Sequence, residues 1–322
     1  MDHADEDYDG DIFIYRGGLA PQHITHARID KSVGDIGEGA FWNCKHLVQV
    51  DTHDGLRKVG KNAFRLCESL RRIDIKSVVE IDEYAFYECR NLTVVEFGDR
   101  LETIGSSAFC ACVYLKHLKL PSVVTIGDYA FNDCIRLTDI VLSKQLETMG
   151  TAAFRYCESL DRIAIPLKRD LLEYSDTFQV YSQFGDCWQL NRVDLVGGIH
   201  KTVLSLHMES WRTEMIAEIN RINQVLPNTR VDDKTGEIRQ WMHSVIDKMD
   251  RYKSEHYRYV KEGITLLELA LWKAKLCKKE DIYGEGMTKK VKLDAKSARK
   301  ERRITCGADL VIKNVLPFLK LE

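Results

Sequence analysis

No apolar run in this chain approaches the roughly 20 residues that a bilayer-spanning helix needs, so no helical membrane anchor or membrane partner is expected. Basic residues are missing from the start. "MDHADEDYDGDIF" holds six acids (Asp2, Asp5, Glu6, Asp7, Asp9, Asp11) and no Lys or Arg. A secretory leader needs a basic start followed by an apolar stretch, so none is expected, and an intracellular chain, cytoplasmic or nuclear, is. An excess of one charge is also lacking. The 47 Lys and Arg against 49 Asp and Glu give a net charge of −2, which offers no general attraction to nucleic acid. Finally, no P-loop, Gly-rich dinucleotide fingerprint, zinc-protease motif or nucleophile elbow occurs. Catalysis, a cofactor and a metal are therefore not expected.

What is present is a repeat. "AFRLCESLRRIDI" from Ala63 returns as "AFYECRNLTVVEF" at Ala85 and "AFRYCESLDRIAI" at Ala153. The Phe recurs at Phe41, Phe64, Phe86, Phe109, Phe131 and Phe154, at alternating steps of 23 and 22, and a degenerate copy has Phe184. A Cys follows each Phe by three residues (Cys44, Cys67, Cys89, Cys112, Cys134, Cys157, Cys187), and a Leu follows each Cys by three. Then comes an alternating apolar pair, such as Ile73 and Ile75 or Leu118 and Leu120. One active site needs one copy of its motif; a frame repeated at fixed period reports architecture.

The pattern "L-x-x-I-x-I" has the period of two of a strand with one buried face. "AFxxC" reads as a single helical or 3₁₀ turn with Phe and Cys inward. A Gly or acid before it, as in Val59-Gly60 or Ile81-Asp82, permits a tight corner. One such unit cannot bury its apolar face alone, whereas stacked copies can, so the fold expected is an α/β repeat solenoid. Counting "ITHARID" from Ile24 as a capping copy gives about seven to eight coils of 22–23 residues, with parallel strands about 4.8 Å apart. The organisation expected is an acidic segment 1–18, a solenoid 19–197 and an α-helical cap region 198–322.

The frame resembles the BspA-like class of leucine-rich repeats, "I-G-x-x-A-F-x-x-C-x-x-L-x-x-I-x-L-P", over about residues 20–197. Pro121 and Pro166 keep the Pro after the strand, where other copies have Lys76, Gly98 and Ser143. The resemblance implies a protein-interaction scaffold and no reaction.

Seven of the ten cysteines share one repeat position and should stack as a buried packing column. Disulfides between neighbouring coils, and a metal at Cys110-Ala-Cys112, are the alternatives. The residues that point outward from the strands form a candidate protein-binding face. They include Arg28, Gln49, Asp51, Arg72, Asp74, Glu96, His117, Lys119, Asp139, Arg162, Arg192 and Asp194. The row mixes charge signs and holds no aromatic ring, and an ordinary solvated face is the other reading.

Past Gly197-Gly198 the pattern turns helical. Val203, Leu206, Trp211, Met215, Ile219, Ile222 and Leu226 fall at helical spacing, with Pro227 and Asn228 as a stop. "DDKTGE" reads as a turn. A long helix from Glu237 to about Cys277 carries Ile238, Trp241, Val245, Met249, Tyr252, Leu267 and Leu271, with Gly263 a candidate break. A last helix is expected from about Asp294 to Leu316. Trp241, Trp272, Tyr252, Tyr257 and Tyr259 read as core or as a partner groove.

The sharpest local feature is "KKVKLDAKSARKERR", residues 289–303, with eight basic residues including Lys289, Lys290, Lys292, Arg299, Lys300, Arg302 and Arg303. It resembles a bipartite nuclear-import signal. A solvated helix face and contact with nucleic acid or an acidic partner are the other readings. The expected protein is a monomeric interaction scaffold with an unidentified protein partner; a nuclear or nucleic-acid-associated adaptor is the alternative.

Overall fold

The computed structural model describes residues 8–172, 182–197 and 208–283. Each "L-x-x-I-x-I" forms a strand. The long strands are β2 (Ile12–Tyr15), β3 (His26–Ile29), β5 (Gln49–Asp51), β7 (Arg72–Ile75) and β9 (Val94–Phe97). They continue as β11 (His117–Lys119), β13 (Asp139–Val141), β15 (Arg162–Ile165) and β16 (Arg192–Leu195). Two-residue strands line the opposite face: β4 (Asp35–Ile36), β6 (Lys58–Val59), β8 (Glu80–Ile81), β10 (Thr103–Ile104), β12 (Thr125–Ile126) and β14 (Thr148–Met149). Except between β9 and β11, these pair in parallel with their neighbours one coil away; among the described residues only β1 (Tyr8–Asp9) is antiparallel, folding back on β2. The chain is a β-solenoid followed by helices.

Six coils carry both a short and a long strand, fewer than the seven to eight expected from the sequence. The copies at the ends are partial. β2 and β3 precede the first Ala-Phe turn, and the Phe184 coil is described only from Ser182. The segment 1–18, read as merely acidic, supplies β1 and β2.

The Phe column is a continuous stack. Ring centroids from Phe41 to Phe154 lie 4.9 to 5.2 Å apart, with planes within 10° of parallel. Tyr15 extends it at one end and Phe184 at the other. The spacing matches the rise of stacked strands, so every coil places one ring on the ring below.

The "AFxxC" turn is neither helical nor 3₁₀, contrary to the sequence reading. Two residues in each of the six copies from Phe41 to Phe154 take left-handed backbone, for example Asn62 (φ 56°) and Leu66 (φ 63°) around Phe64. This alternation sends successive N–H groups in different directions. Cys67 N–H bonds back to Phe64 O within its coil (3.1 Å), while Phe64 N–H reaches Ala85 O in the next (2.7 Å). A helix would keep every N–H inside the turn. The left-handed strain of residues such as Leu66 and Tyr84 is offset by these inter-coil bonds. Close stacking also explains the corner glycine. A Cβ on Gly127 would stand 2.5 Å from the Ser106 nitrogen one coil below.

The cysteines have a second role besides filling space. Six of the seven column thiols donate to the Phe carbonyl of the preceding coil, among them Cys67 to Phe41 at 3.1 Å, Cys89 to Phe64 at 3.0 Å, Cys134 to Phe109 at 3.3 Å and Cys187 to Phe154 at 3.1 Å, while Cys44 reaches Pro21 O at 3.6 Å. Ala would pack there but remove one of the two donors on the buried carbonyl, since Phe41 O and Phe64 O also accept the backbone N–H of Cys44 and Cys67. All seven column cysteines are free and buried. Burial pushes the Cys44 thiol up to about 11 and those of Cys67, Cys89, Cys112, Cys134 and Cys157 well above the usual range.

The chain divides into two compact units, Met1–Lys248 and Met249–Glu322. The first unit runs past residue 197 because helix α1 (Glu209–Val225) and the start of α2 (Lys234–Tyr283) pack on the last coil. Trp211, Met215, Ile219 and Ile222 form the buried stripe of α1, as their spacing predicts. The Leu226–Asn228 turn ends α1 at Pro227. α2 begins at Lys234, inside the segment read as a turn. It continues through Gly263, since one glycine keeps its backbone bonds at a cost of only ~1 kcal/mol.

Three side chains replace the coil that the solenoid end lacks. Asn223 Oδ1 accepts from Val193 N–H (2.7 Å) and its Nδ2 donates to Val193 O (3.1 Å), closing the edge of β16. Thr235 Oγ1 accepts from Phe184 N–H at 3.2 Å, the bond a next coil's carbonyl would take. Lys234 is buried, and its Nζ donates to the carbonyls of Cys187, Trp188 and Leu190 at 3.4, 2.9 and 2.7 Å. Burial lowers its pKa. Lys234→Met takes this donor from the Trp188 and Leu190 carbonyls, while Cys187 O keeps the Leu190 N–H (3.2 Å). Its expected cost is about 1–3 kcal/mol in a denaturant melt, against under about 0.5 kcal/mol for Arg230→Met on the exposed surface nearby.

Candidate interaction surface

Every residue of the candidate face lies on a long strand, and successive coils put them in register. Arg72 sits beside Gln49 and Val94; Asp139 sits beside His117 and Arg162. The face is not a uniform row of free charges. At one end Arg28 bonds Asp9 (2.9 Å) and lies 4.0 Å from Asp51, which accepts from Gln49 Nε2 (2.8 Å). Arg72 and Lys76 both bond Glu96, and Lys76 also reaches Asp74 at 3.3 Å. The hydrogen bond from Lys76, with Arg72 beside it, holds the Glu96 carboxyl below its ordinary range. At the other end Arg162 bridges Asp139 (2.7 Å) and Asp194 (2.6 Å), with Arg192 3.9 Å from Asp194. Ten of the twelve residues therefore have charge or hydrogen-bond partners within the face. His117 reaches only Thr138 Oγ1 (3.3 Å), and Lys119 has no ion pair among the described residues.

The face is interrupted between β9 and β11. β1 and the long strands β2, β3, β5, β7 and β9 form one sheet and β11, β13, β15 and β16 another, while the short-strand sheet runs unbroken from β4 to β14. Sequence reasoning missed this seam. Its available signal was the third copy, which ends in Phe97 where the first has Thr52 and the others have Leu or Ile.

Two candidate features fall differently. Trp241 is fully buried in the first unit, so it is core. Trp272, Tyr257 and Tyr259 are exposed, as are Leu266, Leu267, Leu269 and Leu271 on the same helix. The basic segment 289–303, the expected last helix 294–316 and Cys306 lie outside the described residues. Among the described residues no cluster of His, Cys, Asp and Glu could hold a metal ion, and no helix is long and apolar enough to cross a membrane.

Residues 18–125 and 79–201 match the BspA type leucine-rich repeat region, in six copies. The chain belongs to the BspA-type leucine-rich repeat family. Leucine-rich repeat proteins generally bind other proteins, and this BspA-type chain shares their repeat. Its similar solved structures include a T. pallidum leucine-rich repeat protein, at 24% identity over 56% of this chain and 72% of that one, with a TM-score of 0.37. Another is a leucine-rich cell surface protein of Faecalibacterium prausnitzii, at 22% identity over 55% and 62% of the two chains, also with a TM-score of 0.37. A Bacteroides ovatus leucine-rich repeat protein matches at 23% identity over 53% and 55%, again with a TM-score of 0.37. No curated protein matches the chain.

Proposed function

We propose that this chain is a non-catalytic, monomeric, intracellular scaffold. The repeat region 19–197 binds a protein partner through the long-strand face, and 198–322 is the helical cap region. The observation that carries the reading is the face itself: side chains in register over successive parallel strands, on a stack of rings. The test is site-specific photo-crosslinking of the full chain in native lysate. A crosslinker at Gln49 or Arg192 on the face should give a discrete adduct, and one at Asp35 or Thr148 on the short-strand side should not. Equal adducts from both sides would remove the reading.

A second reading rests on the charge density of residues 289–303: import into the nucleus, or contact with nucleic acid. Replacing Lys289, Lys290, Arg302 and Arg303 with Gln should abolish nuclear accumulation of a tagged chain without changing its thermal stability. A nucleic-acid role adds a gel shift that weakens steeply with salt. A wild-type chain confined to the cytoplasm, with no shift at low salt, would sink this reading.

A further inference from the structure

We propose that the seam between β9 and β11 is where the partner binds, and that the partner presents an extended acidic segment carrying an apolar side chain. This rests on the scaffold reading and narrows it to one place and one chemistry.

Three observations coincide there. First, no ladder joins β9 to β11, so the strand face opens while the opposite side stays closed. β8, β10 and β12 pair without a gap, and the Phe86 and Phe109 rings are 4.9 Å apart. The stack is thus intact behind the opening. Second, the opening uncovers apolar side chains. Val95 and Phe97 are only half-buried, whereas their repeat equivalents Ile73, Ile75, Leu118 and Leu120 are fully buried. Val94, at an outward position, is 44% exposed. Third, the charge beside the opening is uncompensated. On the flanking strands Glu96 of β9 is held by Arg72 and Lys76 and Asp139 of β13 by Arg162, while Lys119 faces Val141 and has no ion pair among the described residues.

These features select a ligand. Charges already paired within a surface contribute little to a new partner, because the old pair must be broken first. Lys119 has no such pair to lose, so a carboxylate placed on it is a net gain. An apolar side chain next to that carboxylate would cover Val94, Val95 and Phe97. An extended backbone suits the site, since the facing N–H and C=O groups of β9 and β11 lack ladder bonds to each other. A basic segment would meet Lys119 as a like charge. Nucleic acid supplies negative charge but no aliphatic side chain for Val94 and Phe97.

The experiment uses the full chain and two fluorescein-labelled octapeptides, one alternating Glu with Leu and Val, the other with Lys in place of Glu. Anisotropy should show binding of the Glu peptide only. Lys119→Glu should weaken it by about tenfold or more, Val94→Asp similarly, and Arg192→Glu, at the far end of the face, by less than about twofold. Binding of the Lys peptide by Lys119→Glu would show that the sign is read at that residue. No binding by the wild type, or equal losses for Lys119→Glu and Arg192→Glu, would overturn the proposal. So would tighter peptide binding by a chain with Asp5, Glu6 and Asp7 changed to Asn and Gln, which would make the chain's own acidic start the occupant. A concentration-dependent dimer in sedimentation, lost in Val94→Asp, would assign the seam to a second copy instead. Crosslinks from Gln49 and Arg192 with none of the peptide effects would leave the scaffold standing without the seam; absence of both would remove both.

Discussion

Phe109→Ala should lower stability by about 3–5 kcal/mol, and the loss should spread to the coils on either side. Phe109 is fully buried, 4.9 Å from the ring of Phe86 and 5.2 Å from that of Phe131, and the edge of Phe97 meets it at 5.6 Å. Truncation removes the ring's transfer free energy and leaves a cavity that stacked backbones cannot close. In a solenoid each coil is held only by its neighbours, so a gap in the middle of the column weakens two interfaces. Denaturant melts give the energy. Hydrogen exchange should show faster opening around Phe86 and Phe131 than around Phe41. Because Phe97 leans on Phe109, the seam should loosen as well. An unchanged melt, or a loss confined to one coil, would contradict the continuous column.

The parts of the fold that were legible in the sequence are those repeated along it. One Phe, one Cys and one alternating strand are ambiguous; six copies at a fixed step place the ring, thiol and strand inward without reference to any partner. β2 escaped because its "IFIY" carries no Ala-Phe turn to mark it. The backbone of the turn escaped because Leu66, Tyr84 and Tyr156 are not residues that announce left-handed φ. The end cap escaped for a different reason. Lys234 and Thr235 meet the Phe184 coil across 44 to 51 residues, and a lysine in "DDKTGE" carries no sign that it will be buried against three carbonyls. The candidate face was legible as a set of outward positions, but which of its charges are already used was not. That depends on which acid neighbours which base once 22- and 23-residue coils are stacked.

The cysteine column should make the protein fail in mild alkali. An exposed thiol ionises near 9.0, but six column thiols are held above that by burial: Cys44, Cys67, Cys89, Cys112, Cys134 and Cys157. A raised folded pKa of an acid means that above pH 9 the unfolded chain releases protons that the folded chain keeps. Stability from this source is complete below pH 9 and is lost as pH rises toward the folded values. Each thiol then costs about 1.4 kcal/mol per pH unit, so six together remove on the order of 8 kcal/mol by pH 10. That is comparable to the whole stability of a typical domain, about 5–15 kcal/mol. Under reducing conditions, circular dichroism should therefore show cooperative unfolding between about pH 9 and 11. Tyr and Lys also titrate in this range, so the deciding measurement is the slope of unfolding free energy against pH for wild type and Cys134→Ala. The variant starts less stable, because Phe109 O loses one of its two donors and keeps only the Cys112 N–H, but its slope should be shallower by about 1.4 kcal/mol per pH unit. Iodoacetamide at pH 8 should spare Cys67, Cys89 and Cys134 in the native chain and label all ten cysteines after denaturation. Identical slopes, or rapid native labelling of those three, would show that the thiols are not sealed in the core.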